Sequence, residues 1–132
     1  MKEIILKNNN LEIIVDSNLS YYLFSKLFIF FLEDDNLSGN YVLSENRINN
    51  LKDILEEYLI EILKKWYKEP TEKEIQKHST RYERIKLSST IYKVNYRMSE
   101  VGRLVFLIYN ILKMLEESSI TGEQLNLNFK EI

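Results

Sequence analysis

The chain has no cysteine, no alanine, one proline, one histidine and three glycines. Without cysteine it can hold neither a disulfide framework nor a thiolate metal site. The lone His78 finds no second His and no Cys to join it in a metal site or an activated-nucleophile pair. Its expected place is on the surface of a helix with Ile75 and Tyr82. The glycines stand at positions 39, 102 and 122, too far apart for a phosphate-cradling loop. No nucleophile elbow and no supported Ser-His-Asp order is present. Glu33, Asp34 and Asp35 are adjacent and lack the alternate spacing of a calcium loop. These absences remove most chemistries that leave a sequence signature. The expectation is a chain that is not an enzyme, with no catalytic residues, no cofactor and no metal.

Membrane spans are also missing. The longest apolar stretch, Leu19–Leu32, is interrupted by Ser20, Ser25 and Lys26 and closed by acids. A spanning helix needs about 20 apolar residues. Met1–Ile5 has no charged region followed by an apolar run, so no leader is expected and a cytoplasmic location is. The absence of Ala beside abundant Ile, Lys, Asn and Tyr points to AT-rich codons, as in a low-GC bacterium or its phage.

What is present suits a folded domain. Of 132 residues, 45% are hydrophobic and 29% charged, which places the chain among globular proteins. Its length favours a single compact domain over 1–132 that buries roughly two-thirds of its unfolded surface. Leu19–Leu32 is apolar on nearly every side and should lie at the centre of that domain.

Periodicity then orders the chain. Residues 1–16 alternate with period two around Asn8-Asn9-Asn10 and predict a β-hairpin. Leu19, Leu23, Leu27 and Phe31 step by four and predict a helix. Glu33–Tyr41 reads as a polar loop. Ser44–Lys68 carries an N-cap, an apolar stripe at Ile48, Leu51, Leu55, Tyr58, Leu59, Ile62 and Trp66, and terminal lysines before Pro70. Thr71-Glu72-Lys73-Glu74 is a capping box that predicts a further helix. Residues 86–98 fit both periods, with helix favoured and a bend near Ser88–Thr90. Ser99–Glu117 is strongly apolar and should pair with Leu19–Leu32 as a central couple. Gly102 costs about 1 kcal/mol in a helix, and close approach of a neighbouring element is its expected reason. Leu125, Leu127 and Phe129 alternate as a last strand. The fold class expected is α+β and mainly helical: four or five helices packed with a small antiparallel sheet formed by the N-terminal hairpin and the C-terminal strand.

Charge supplies the one positive functional signal. The net charge is −2, yet Lys73–Arg103 holds eight basic and three acidic residues, about +5, which leaves about −7 elsewhere. Lys73, Lys77, Arg81 and Arg84 step by four, four and three along one helical face. Tyr92, Lys93, Tyr96 and Arg97 interleave aromatics with cations. Such a stripe can neutralise phosphates and stack on bases, or dock on an acidic protein surface, where Arg and Tyr are favoured anchors. Glu56, Glu57 and Glu61 make a second, acidic candidate face, with Glu61 placed to pair with Lys64 or Lys65. The leading expectation is a small non-enzymatic inhibitor that binds and masks a protein partner, a toxin or a nuclease. An immunity protein and a phage anti-defence protein of the anti-CRISPR kind are the two roles that suit it. The alternatives are a nucleic-acid-binding regulator using the basic stripe 73–103 and a structural oligomer subunit.

Overall fold

The period-two alternation at the N-terminus becomes strands β1 (Lys2–Lys7) and β2 (Glu12–Val15), paired antiparallel with Ile4 opposite Val15 and Leu6 opposite Ile13. The chain is seen here as a computed structural model, which describes residues 2–15, 18–19, 22–23, 40–77, 81–87, 89–95 and 99–131. Asn8 sets the turn between the strands. Its carboxamide oxygen accepts from the backbone N–H groups of Asn10 and Leu11 at 2.9 and 2.7 Å. Its own N–H donates to the Leu11 carbonyl at 3.0 Å. The side chain is buried, and its Nδ2 donates to Ser118 Oγ at 3.4 Å. A buried amide must find partners, and Asn8 finds them on both sides.

Two further strands complete the sheet. β3 (Asn40–Leu43) and β6 (Leu125–Glu131) join in the order β2-β1-β6-β3, and every pairing is antiparallel. One face is apolar and buried, with Ile4, Leu6, Val15, Leu43, Leu125 and Leu127 all at most 3% exposed. The terminal strand and the hairpin meet as the alternation predicts. The third partner differs: β3 begins inside the stretch expected to be a polar loop and flanks β6.

The helices follow their caps. α1 (Glu45–Trp66) starts after Ser44, whose Oγ accepts from the Arg47 N–H at 3.4 Å. Its buried stripe is Ile48, Leu51, Leu55, Leu59 and Leu63; Leu63 belongs to it, while Tyr58, Ile62 and Trp66 sit at its half-buried margin. α2 (Glu72–Lys77) opens on the capping box, with the Thr71 hydroxyl accepting from the Glu74 N–H and donating to its carboxylate. α3 (Glu100–Thr121) is capped by Ser99, whose Oγ accepts from the Gly102 N–H at 3.0 Å. It ends at Gly122, with φ +73° and an N–H donated to the Ser118 carbonyl. That left-handed residue is the usual helix stop.

The largest correction concerns residues 78–98. α2 spans Glu72–Lys77, and no α-helix follows it up to Ser99 among the described residues. Instead β4 (Tyr82–Leu87) and β5 (Thr90–Asn95) form an antiparallel ribbon, a second sheet of two strands. The expected four or five helices with one small sheet are therefore overturned. The described residues hold three complete helices, further helical residues at 18–19 and 22–23, and two sheets, of four and two strands. The physical reason lies in Ile85, Leu87 and Val94, which alternate and are all buried. Thr90, Ile91 and Val94 are β-branched and lose rotamer freedom in a helix. Leu87 pairs with Thr90, with only two residues of sequence between them.

The chain divides into two compact units, Met1–Glu57 with Asn110–Ile132, and Tyr58–Tyr109. The first holds the four-stranded sheet and the second holds the ribbon. Of the apolar stretch 19–32, Leu19 and Leu23 are helical and buried and Tyr22 is helical. The rest, and with it the expected pairing against Val101–Leu115, lies outside the described residues.

Candidate basic docking surface

Two-stranded ribbons are marginal in water on their own, so the ribbon must be anchored. Ile85 and Val94 are at most 1% exposed, and each contributes roughly 1.5–3 kcal/mol by leaving water. Tyr67, just beyond α1, meets the Tyr92 ring edge to face at 4.9 Å between centroids. Its hydroxyl accepts the Lys93 backbone N–H at 3.2 Å.

With one face of the ribbon anchored, the pleat sends alternate residues to the other. Arg84 lies opposite Lys93, and Lys86 lies opposite Ile91. Arg84 and Lys86 are exposed, Lys93 is half exposed, and Ile91 is 55% exposed. Among the described residues no carboxylate pairs with any of the three cations. Like charges directly opposite each other on a ribbon are destabilising by up to about 1 kcal/mol. The surface is thus an apolar side chain bordered by three cations held close together.

The remaining residues of the basic segment sit as follows. Lys73 and Lys77 are exposed one turn apart on α2, and Arg81 is exposed in the tight turn ahead of β4. Arg84 continues on a strand, so the step of four, four and three marks no common helical face. Tyr92 shares its ribbon face with buried Ile85 and Val94 and is engaged by Tyr67. Tyr96, Arg97 and His78 lie outside the described residues, as do Glu33, Asp34 and Asp35. Lys86 and Ile91 were missed as surface residues because the helical reading scattered them. The strand period would have found them, since it puts Arg84 with Lys86, and Ile91 with Lys93, on one face.

Other candidates are weaker. Glu56 is half exposed and Glu57 exposed. Glu61 is exposed and pairs with Lys65 at 3.3 Å, as the one-turn spacing predicts, in an exposed bridge worth little. A cleft of about 340 Å³ opens beside Leu43, Ser44, Glu45, Ser118 and Glu123. Its lining holds no His, Cys or Lys to make a nucleophile–base pair. Among the described residues no group of His, Asp or Glu could hold a metal ion, and no helix is long and apolar enough to cross a membrane. No protein-family model, curated protein or solved structure matches the chain.

Proposed function

We propose that this chain is a non-enzymatic binding protein that docks the basic face of the β4–β5 ribbon on an acidic surface of a protein partner and masks it. One observation carries the reading: Arg84 stands directly opposite Lys93, with no carboxylate paired to either among the described residues, next to an exposed Ile91. A sequence selected for stability alone would not keep two cations face to face on a marginal ribbon. An apolar centre with a cationic border suits a protein interface, where Arg is enriched and charge complementarity guides the approach. An immunity protein against a toxin and an anti-defence inhibitor of a nuclease both act by such masking. Both fit a short, AT-rich chain without catalytic groups, in the cytoplasm.

The second reading, a nucleic-acid-binding regulator, draws on the same cations. Against it, Tyr92 is engaged edge to face by Tyr67, and the whole chain is acidic at −2. A structural oligomer subunit would need neither charge nor an exposed cationic ribbon.

The test is capture from the source cell by the wild-type chain and by the triple variant Arg84→Glu, Lys86→Glu, Lys93→Glu. An acidic protein should co-purify stoichiometrically with the wild type and be lost from a variant of unchanged thermal stability. A gel shift of RNA or DNA that fades steeply with salt and vanishes in the variant would replace this reading with the regulator. A large homo-oligomer on sizing chromatography, with no partner captured, would replace it with the structural subunit.

A further inference from the structure

We infer that the partner contributes an extended acidic segment that adds as a strand to the outer edge of β4. The inference rests on the reading of the Arg84–Lys86–Lys93 face as the docking surface and specifies how that face is used.

The ribbon has two edges, and they differ. On β5 the Lys93 N–H donates to the Tyr67 hydroxyl, so it points away from β4. In an antiparallel pair both main-chain groups of a residue point the same way. Arg84 and Lys93 are therefore a pair that exchanges no main-chain bonds, the class in which opposite side chains stand closest. Hairpin geometry gives the same parity: Leu87 is paired with Thr90 across two residues of sequence, and the pair that closes a two-residue hairpin is one that exchanges main-chain bonds. Glu83, Ile85 and Leu87 then turn their main-chain groups toward β5. Tyr82, Arg84 and Lys86 turn theirs outward.

Those outward groups have no hydrogen-bond partner among the described residues. The β5 edge is closed at Lys93 by Tyr67, whose ring stands against Tyr92. The open edge is β4, where a row of unpaired N–H and C=O groups is a template for another strand. The same residues that offer their main chain carry cationic side chains, at Arg84 and Lys86. A second copy pairing β4 against β4 would bring cation against cation, so the charges refuse self-association. A strand with carboxylates at every second position would set them beside Arg84 and Lys86 on the ribbon's basic face. Nucleic acid can meet the cations but has no alternating amide groups to continue the ladder.

The test uses a labelled peptide alternating Glu and Thr, the same peptide N-methylated at every second amide in the register that blocks the ladder, and a single-stranded oligonucleotide of equal charge. The first peptide should bind the intact chain in fluorescence anisotropy. N-methylation should weaken it by at least about tenfold, as losing several main-chain hydrogen bonds would. Binding should slow amide exchange at Tyr82, Arg84 and Lys86 and leave Glu83 and Ile85, already bonded, unchanged. Equal binding of both peptides would overturn strand addition while leaving the basic docking face standing. Absence of peptide binding, or tighter binding by the oligonucleotide, would overturn strand addition as well. Capture of the partner by the wild type and not by the charge-reversed chain judges the docking face separately.

Discussion

Gly102 shows how one residue can invert a general rule. In an open helix Gly→Ala gains about 1 kcal/mol by restricting the unfolded chain and adding propensity. Here a β-carbon at position 102 would collide with the backbone carbonyl oxygen of Asn95. A backbone oxygen cannot swing aside as a flexible side chain can. Forcing a methyl group into such a contact costs about 1–3 kcal/mol. Gly102→Ala should therefore destabilise the chain despite its higher helix propensity, read as a lower urea midpoint at unchanged slope. A stabilised variant would mean that the end of β5 yields more readily than its buried position implies. Gly102 was legible as a close-approach residue, because a glycine inside a strongly apolar helix needs such a reason. Asn95 as the approaching group was not, since β5 was read as helix.

At the scale of elements, legibility followed the clarity of the period. The apolar residues of β1, β2, β6, α1 and α3 keep one period each and announced the elements. β4 and β5 bury Ile85, Leu87, Val94 and Asn95 among their described side chains. Their apolar residues fit a helical step at Ile91 and Val94 as well as a period of two, and their cations continue the step begun at Lys73 and Lys77. The candidate site suffered the same way. Its charges were visible, but the face they share depends on a period of two that only the buried minority reported. The ribbon also separates stability from binding, which gives a prediction. Lys93→Glu converts a cation–cation pair into a cross-strand ion pair with Arg84. It should raise stability by about 0.2–1 kcal/mol, seen as a higher melting temperature, while partner capture falls. For a residue of purely structural value, stability and capture would move together. A lower melting temperature would show that Arg84 and Lys93 do not oppose each other in solution.

Across the whole molecule, charge is sorted rather than scarce. About +5 sits within Lys73–Arg103 and about −7 on the remainder, so a net of −2 conceals opposite regions. Arg84 and Lys86 of the ribbon are exposed and Lys93 half exposed, and fields from exposed charges reach about a Debye length, roughly 8 Å at physiological salt and 30 Å at 0.01 M. On the proposed docking, an acidic partner surface would be drawn to the ribbon before contact and repelled by the acidic remainder of the chain. Association should be steered, with the on-rate raised at low salt and the off-rate governed by the short-range contacts at Ile91 and along β4. Stopped-flow or surface measurements against the captured partner should show the on-rate falling by about tenfold or more as salt rises from 0.01 M to physiological strength, with the off-rate changing much less. Ile91→Ser should do the opposite, speeding dissociation with little effect on association, because it removes apolar contact and no charge. If salt acts mainly on the off-rate, the cations are engaged in the closed contact and do not steer, and the apolar centre at Ile91 carries less of the binding than its exposure suggests.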